Sequence, residues 1–203
     1  MDRPVGLSWL AGMKASATSK RSEEGPAERL LAAADRLFYE QGYAATGVNE
    51  LMREAGVAKA SFYHHFPSKE ALVVAYLSKR AEDWSAELAQ AVDAHSQARE
   101  RVLAVFDFLE DWLVRCNFRG CAFLNTIPEY PDPESPPRRA VREAKRGLHE
   151  YVRALCASAG QPEAGDEVFV LVEGVLAHAA AIGEAWPAQV ARQTVSARFE
   201  AAD

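Results

Sequence analysis

The stretch Thr46 to Lys69, TGVNELMREAGVAKASFYHHFPSK, limits what this chain can fold into more than any other. Val48, Leu51, Met52 and Ala55 recur at i, i+3, i+4 and i+7, which lays one apolar stripe along a short helix. Thr46 stands just ahead of the stripe, where a hydroxyl can cap the helix. Gly56 follows it, where the backbone must turn sharply. A second helix of about two turns is expected from Ala58 to His65; Pro67 ends it and Ser68 caps the next. Helix, glycine turn and short helix form the helix-turn-helix pattern, whose second helix enters the DNA major groove.

At about 100° per residue the faces of that second helix can be assigned. With Phe62 inward, Ala58 and Phe66 fall on the buried side. Ala60 and His64 point outward, Ser61 and Tyr63 flank them, and Lys59 sits at the edge; His65 lies nearer the buried side. One face packs; the other offers a methyl group, a hydroxyl, a phenol, an imidazole and an ammonium. Those groups can meet phosphates and base edges.

The run GVAKASFYHHFPSKEAL resembles the DNA-binding signature of TetR/AcrR-type regulators. Gly56, Val57, Lys59, Ala60, Ser61, Phe62, Tyr63, His65, Phe66, Ser68, Lys69, Glu70 and Leu72 occupy matching positions. The likeness reaches back to Ala27 and covers about 27–80 closely. Beyond Arg80 it rests on helical character and on a Gly-Cys after a long helix. The resemblance implies an all-α fold: a three-helix head that binds a palindromic double-stranded operator, and a helical body that binds an unidentified small-molecule effector and forms a homodimer. The expected DNA-facing residues are Thr46, Asn49, Lys59, Ala60, Ser61, Tyr63, His64, His65 and Lys69. For His65 the resemblance implies a phosphate contact.

The 203 residues suit one or two small domains, and 49% hydrophobic content is enough for a core. The net charge of −6 sits oddly with a DNA binder until the chain is divided. Residues 1–80 hold 11 Lys and Arg against 9 Asp and Glu, whereas 81–203 hold 12 against 20. A mildly basic head on an acidic body fits a DNA-binding protein. Three cysteines are too few for a secreted disulfide framework. The most apolar run, Val168 to Gly183, is 16 residues, short for a membrane helix, and Glu173 and His178 interrupt it. The first residues lack the strong core of a signal peptide, so a cytoplasmic protein is expected, with Met1 or Met13 as its start.

In chain order, residues 1–25 read as a flexible basic tail carrying Lys14, Lys20 and Arg21. The DNA-binding part is expected at 26–72 and the sensing and pairing part at 73–203. A helix over Pro26 to Gln41 carries Leu30, Leu31, Ala34, Leu37 and Phe38 on one side. A long helix runs from Ser68 to about Asp93, and its N-terminus, with Lys69, is suited to phosphate. Another spans about Gln97 to Asn117. A short helix is expected at Ala122 to Ile127, then a stiff non-helical link, because five of the ten prolines fall between Pro128 and Pro137. Helices follow at about Arg138 to Ser158, Glu163 to Glu184 and Pro187 to Ala201. The resemblance implies that the last two pair with their copies in a dimer, with Gly174, Ala177, Ala181 and Gly183 allowing close approach.

For the effector, Phe108, Trp112, Phe123, Asn125, Tyr151 and His178 could line an apolar space with a few polar groups. Plain core packing is the alternative for each. Cys121, after Gly120 and beside Arg119, has the setting of a reactive thiol, with Cys116 as its neighbour; a small buried hydrophobe is the alternative. No Cys/His set has zinc-ligand spacing, and no nucleophile elbow, phosphate loop or dinucleotide fingerprint is present. No cofactor is expected and no enzyme activity. The competing reading is an all-helical ligand-binding or catalytic protein without a DNA role; it leaves the polar face at Lys59, Ser61, Tyr63 and His64 unexplained.

Overall fold

A computed structural model describes residues 25–201. The expected tail, with Lys14, Lys20 and Arg21, lies outside the described residues except for Gly25. Among the described residues the chain forms nine α-helices and no strand: α1 Pro26–Gln41, α2 Val48–Ala55, α3 Lys59–His65, α4 Lys69–Asp93, α5 Ala98–Arg115, α6 Ala122–Glu129, α7 Pro136–Ser158, α8 Gly165–Ile182 and α9 Trp186–Glu200. None is long and apolar enough to cross a membrane.

Two compact units form, and their boundaries fall inside α4 and α7. The described part of one is 25–82 with 122–143; that of the other is 83–121 with 144–201. The division expected from the sequence, 26–72 and 73–203, is a partition by role and does not follow these units. The difference has a physical cause: Ala122 and Val141 are buried in the same core as Leu30, Leu51 and Phe62.

In the first unit, α1 supplies Leu30, Ala34, Leu37 and Phe38 to that core, α2 supplies Leu51 and Ala55, and α4 supplies Leu72, Val73, Tyr76 and Leu77. Phe62 of α3 sits at their centre with no exposed surface. Phe38, Tyr43, Tyr76 and Tyr130 pack as tilted and edge-on rings with centroids 5.1–6.0 Å apart. That arrangement suits the ring quadrupoles.

The proline-rich stretch is more helical than expected. α6 runs through Pro128, and Tyr130 N–H bonds Thr126 carbonyl at 3.1 Å. So near a helix end, one proline removes one hydrogen bond and little else. Pro136 and Pro137 open α7 rather than preceding it, because first-turn N–H groups have no helical partner to lose. Glu163 lies in a 3-10 turn, Pro162–Ala164, ahead of α8.

In the second unit, α5 buries Val102 to Phe106, Phe108, Leu109 and Leu113. Arg192 pairs with Asp107 at 2.7 Å and Gln189 donates to Glu110 at 2.6 Å, aligning α9 on α5. Lys145 of α7 pairs with Glu173 of α8 at 2.8 Å. Trp84 stands edge-on to both Phe108 and Trp112, at 5.3 and 6.2 Å between centroids. On α8 and α9, Val170 is 67% exposed and Val190 50%, and Ile182 and Trp186 are exposed as well.

Candidate nucleic-acid interface

The reading element is positioned from α1. Arg29 Nε donates to the carbonyl of Ala55 at 3.0 Å, and Arg36 pairs with Glu54. Both tie α2 to α1 near the carbonyl end of α2. Gly56 then turns the chain in the left-handed region, φ 60° and ψ 40°, and Val57 N–H closes back onto Met52 at 2.9 Å. α3 follows, held by Phe62 beneath and by Phe66 just past its end. Ser68 Oγ accepts from Ala71 N–H at 3.0 Å and caps α4.

On α3 the side chains of Lys59, Ala60, Tyr63, His64 and His65 are exposed, and Ser61 is half-buried. Asn49 is exposed on α2. Tyr63 is 46% exposed although its ring meets Phe62 edge-on at 5.1 Å, so the hydroxyl remains outside. His65 lies on the exposed side, not the buried one, and its ring meets His64 at 5.0 Å. Ala58 is exposed too, because it is the N-cap residue and stands outside the helical wheel.

Two expected DNA contacts turn inward. Thr46 is fully buried; its hydroxyl lies 2.8 Å from Gly42 carbonyl and 3.3 Å from Leu37 carbonyl. The N-cap of α2 is Gly47 instead, with no side-chain bond. Thr46 therefore has no hydroxyl surface to offer DNA, and it secures the α1–α2 turn. Lys69 sends its ammonium to the carbonyls of Tyr43, at 2.8 Å, and Thr46, at 3.2 Å. Half-buried, it serves the same turn before any phosphate. The turn also receives Glu129 from α6, whose carboxylate accepts from the N–H groups of Tyr43 and Ala44 at 3.1 and 2.6 Å. Nothing in the local pattern around Glu129 pointed to this role, since it follows Pro128 and lies more than 80 residues from its partners. Tyr43 is buried, and its hydroxyl lies 2.9 Å from Thr126 Oγ1. Burial pushes the Tyr43 phenol well above its ordinary range.

The residues expected around an effector divide between the units. Phe108 is buried and Trp112 half-buried in the second, joined through the ring of Trp84. Tyr151 is buried there, its phenol pushed up to about 12 by desolvation first and by Asp93 second. Phe123 packs against the core of the first unit and Asn125 is exposed on α6. His178 is not interior: it stands on the exposed face of α8 with its ring 5.6 Å from Trp186. The helical period puts it beside Gly174, Ala177 and Ala181 rather than behind them. Cys121 is buried to 8% exposure immediately before α6, and Cys116 Sγ donates to Leu113 carbonyl at 3.4 Å. Gly120 has a packing reason of its own: at φ 79°, a Cβ there would lie 2.9 Å from the Cβ of Ala180.

The sequence pattern of the bacterial regulatory proteins of the tetR family matches residues 30–76, from α1 into α4. Over 159 residues the chain is 31% identical to the HTH-type transcriptional regulator LmrA of Bacillus subtilis, covering 72% of this chain and 82% of LmrA. Over 132 residues it is 30% identical to the HTH-type transcriptional repressor NemR of Escherichia coli, covering 64% of this chain and 66% of NemR, just under two-thirds. A solved TetR-family transcriptional regulator from Streptomyces coelicolor matches 86% of this chain and 95% of its own, at 31% identity and a TM-score of 0.78. The all-α fold with its N-terminal helix-turn-helix is that of these DNA-binding transcriptional regulators. The chain belongs to the TetR family.

Proposed function

We propose that this protein is a homodimeric repressor that leaves a palindromic operator when an effector binds. The carrying observation is the division of α3, with Phe62 fully buried below and Lys59, Tyr63, His64 and His65 exposed above. A helix anchored so firmly on one face and polar on the other is built to be presented to a partner. Asn49, Lys59, Ala60, Ser61, Tyr63, His64 and His65 are assigned to DNA, Lys59 and the histidines toward phosphate and Ser61 and Tyr63 toward phosphate or base edges.

Pairing of two copies is assigned to α8 and α9. Val170, Ile182, Trp186 and Val190 leave apolar surface exposed there, and Gly174, Ala177 and Ala181 bring little bulk between them. Exposed apolar groups gathered on two successive helices suit an interaction surface. In roles, 26–72 reads DNA and 73–203 pairs and senses. The effector is a small molecule whose apolar part packs on Phe108, Trp112 and Trp84. Its binding favours a body conformation in which the two heads no longer match half-sites about one DNA turn apart, and affinity falls. On this reading the protein acts in the cytoplasm, where its DNA lies, and catalyses nothing.

Purified protein titrated against duplex DNA flanking its own gene, at two salt concentrations and with or without diamide, tests the proposal. Selective binding that weakens with salt supports the repressor. Release by diamide assigns the effector role to Cys121 or Cys116 and removes the small molecule from the account. Non-selective binding at both salts sinks the repressor reading and leaves the helical ligand-binding protein.

A further inference from the structure

Between α1 and α2 the chain makes a six-residue turn, 42–47, on which α2 and so α3 are mounted. After Gly42 N–H closes α1 onto Phe38, the next two N–H groups, of Tyr43 and Ala44, find their acceptor in Glu129, one carboxylate oxygen each. The carbonyls of Tyr43 and Thr46 meet the Lys69 ammonium. A carboxylate on the N–H side and an ammonium on the carbonyl side thus hold one turn by charge-assisted bonds, the strong kind. Gly42 makes room: at φ 89°, a Cβ there would lie 3.0 Å from a Glu129 oxygen. Glu129 does nothing comparable for its own helix. It is the last residue of α6, and a negative charge is unfavourable at a helix C-terminus.

We propose that Glu129 is a positioning residue for DNA reading. It sets the α1–α2 turn, and through the turn it sets the angle at which α2 and α3 are offered. The DNA-reading unit then includes α6, and residues 26–72 form its surface without all of its support. The inference rests on the DNA-binding reading for its effect on affinity, but its effect on the turn does not depend on that reading.

The test uses the full-length protein with Glu129→Ala and Glu129→Gln. Two quantities are read: amide hydrogen exchange at Tyr43 and Ala44, and affinity for a duplex that the wild-type protein selects from a random library. Glu129→Ala should speed exchange at both amides by about ten-fold or more, leave Leu37 and Leu51 protected, and weaken the duplex by about ten-fold. Glu129→Gln keeps one carbonyl acceptor and should fall between Ala and wild type in both. Wild-type exchange and affinity in Glu129→Ala overturns the proposal, and so does lost affinity with unchanged exchange at the two amides. If Glu129→Ala does not fold, Glu129→Gln is read by the same two criteria. If the wild-type protein selects no duplex, the repressor reading fails, and exchange alone decides whether Glu129 sets the turn.

Discussion

The Lys69 ammonium donates to the carbonyl of Tyr43 at 2.8 Å, across 26 residues of chain. It donates to Thr46 carbonyl as well, so a cation at the head of α4 is spent on the turn that starts the helix-turn-helix. The two roles open to Lys69, turn support and phosphate contact, give different salt dependence. Lys69→Met should lower stability by about 1–2 kcal/mol, the cost of losing charge-assisted bonds to half-buried carbonyls. It should leave the slope of log affinity against log salt unchanged. A slope reduced by about one would mark Lys69 as a phosphate contact after all.

Neighbouring residues on α3 should behave oppositely. Tyr63→Ala removes an exposed ring, so stability should stay within about 0.5 kcal/mol of wild type, while duplex binding should weaken about ten-fold or more. Phe62→Ala empties a fully buried site and should cost about 3–5 kcal/mol. Thermal melts and anisotropy titrations of the two variants separate anchor from reader. A Tyr63→Ala variant that binds as wild type removes Tyr63 from the interface.

A charge on the exposed apolar face of α8 and α9 should oppose pairing. Val170→Asp and Val190→Asp each place a carboxylate on surface that is at least half exposed in a single chain, so the fold should survive. Sedimentation velocity should find a dimer for the wild type and a monomer for the double variant, and operator affinity should fall with it. A double variant that still sediments as a dimer moves the interface elsewhere.

Alkaline pH should destabilise the second unit through buried acids. Burial raises the Cys156 thiol to about 11 and Tyr151 to about 12. In the unfolded chain these groups ionise near their ordinary values, about 8.5 and 10. Below those values both states are protonated and their contribution is fully present. As pH climbs from there toward about 11 and 12, the unfolded chain loses protons that the fold retains, and stability falls. Melting temperature should therefore decline from about pH 9 upward. Cys156→Ala should remove the earliest part of that decline; an unchanged profile in that variant would exclude Cys156 as its source.

Much of this protein was decided by local chemistry that a sequence carries openly. The stripe of Val48, Leu51, Met52 and Ala55, the turn at Gly56 and the inward Phe62 depend on a helical period and one backbone conformation, so they could be read without a fold. For the same reason Lys59, Ala60, Tyr63 and His64 were legible as an outer face. Tertiary structure alone decided what Thr46, Lys69, Glu129 and His178 do. A hydroxyl ahead of a helix can cap it or turn back into a core, and an ammonium at a helix start can wait for phosphate or satisfy a carbonyl. The choice depends on which unpaired backbone groups the fold brings near. Glu129 meets the amides of Tyr43 and Ala44 only because packing brings α6 to the α1–α2 turn, and no spacing within either segment encodes that meeting.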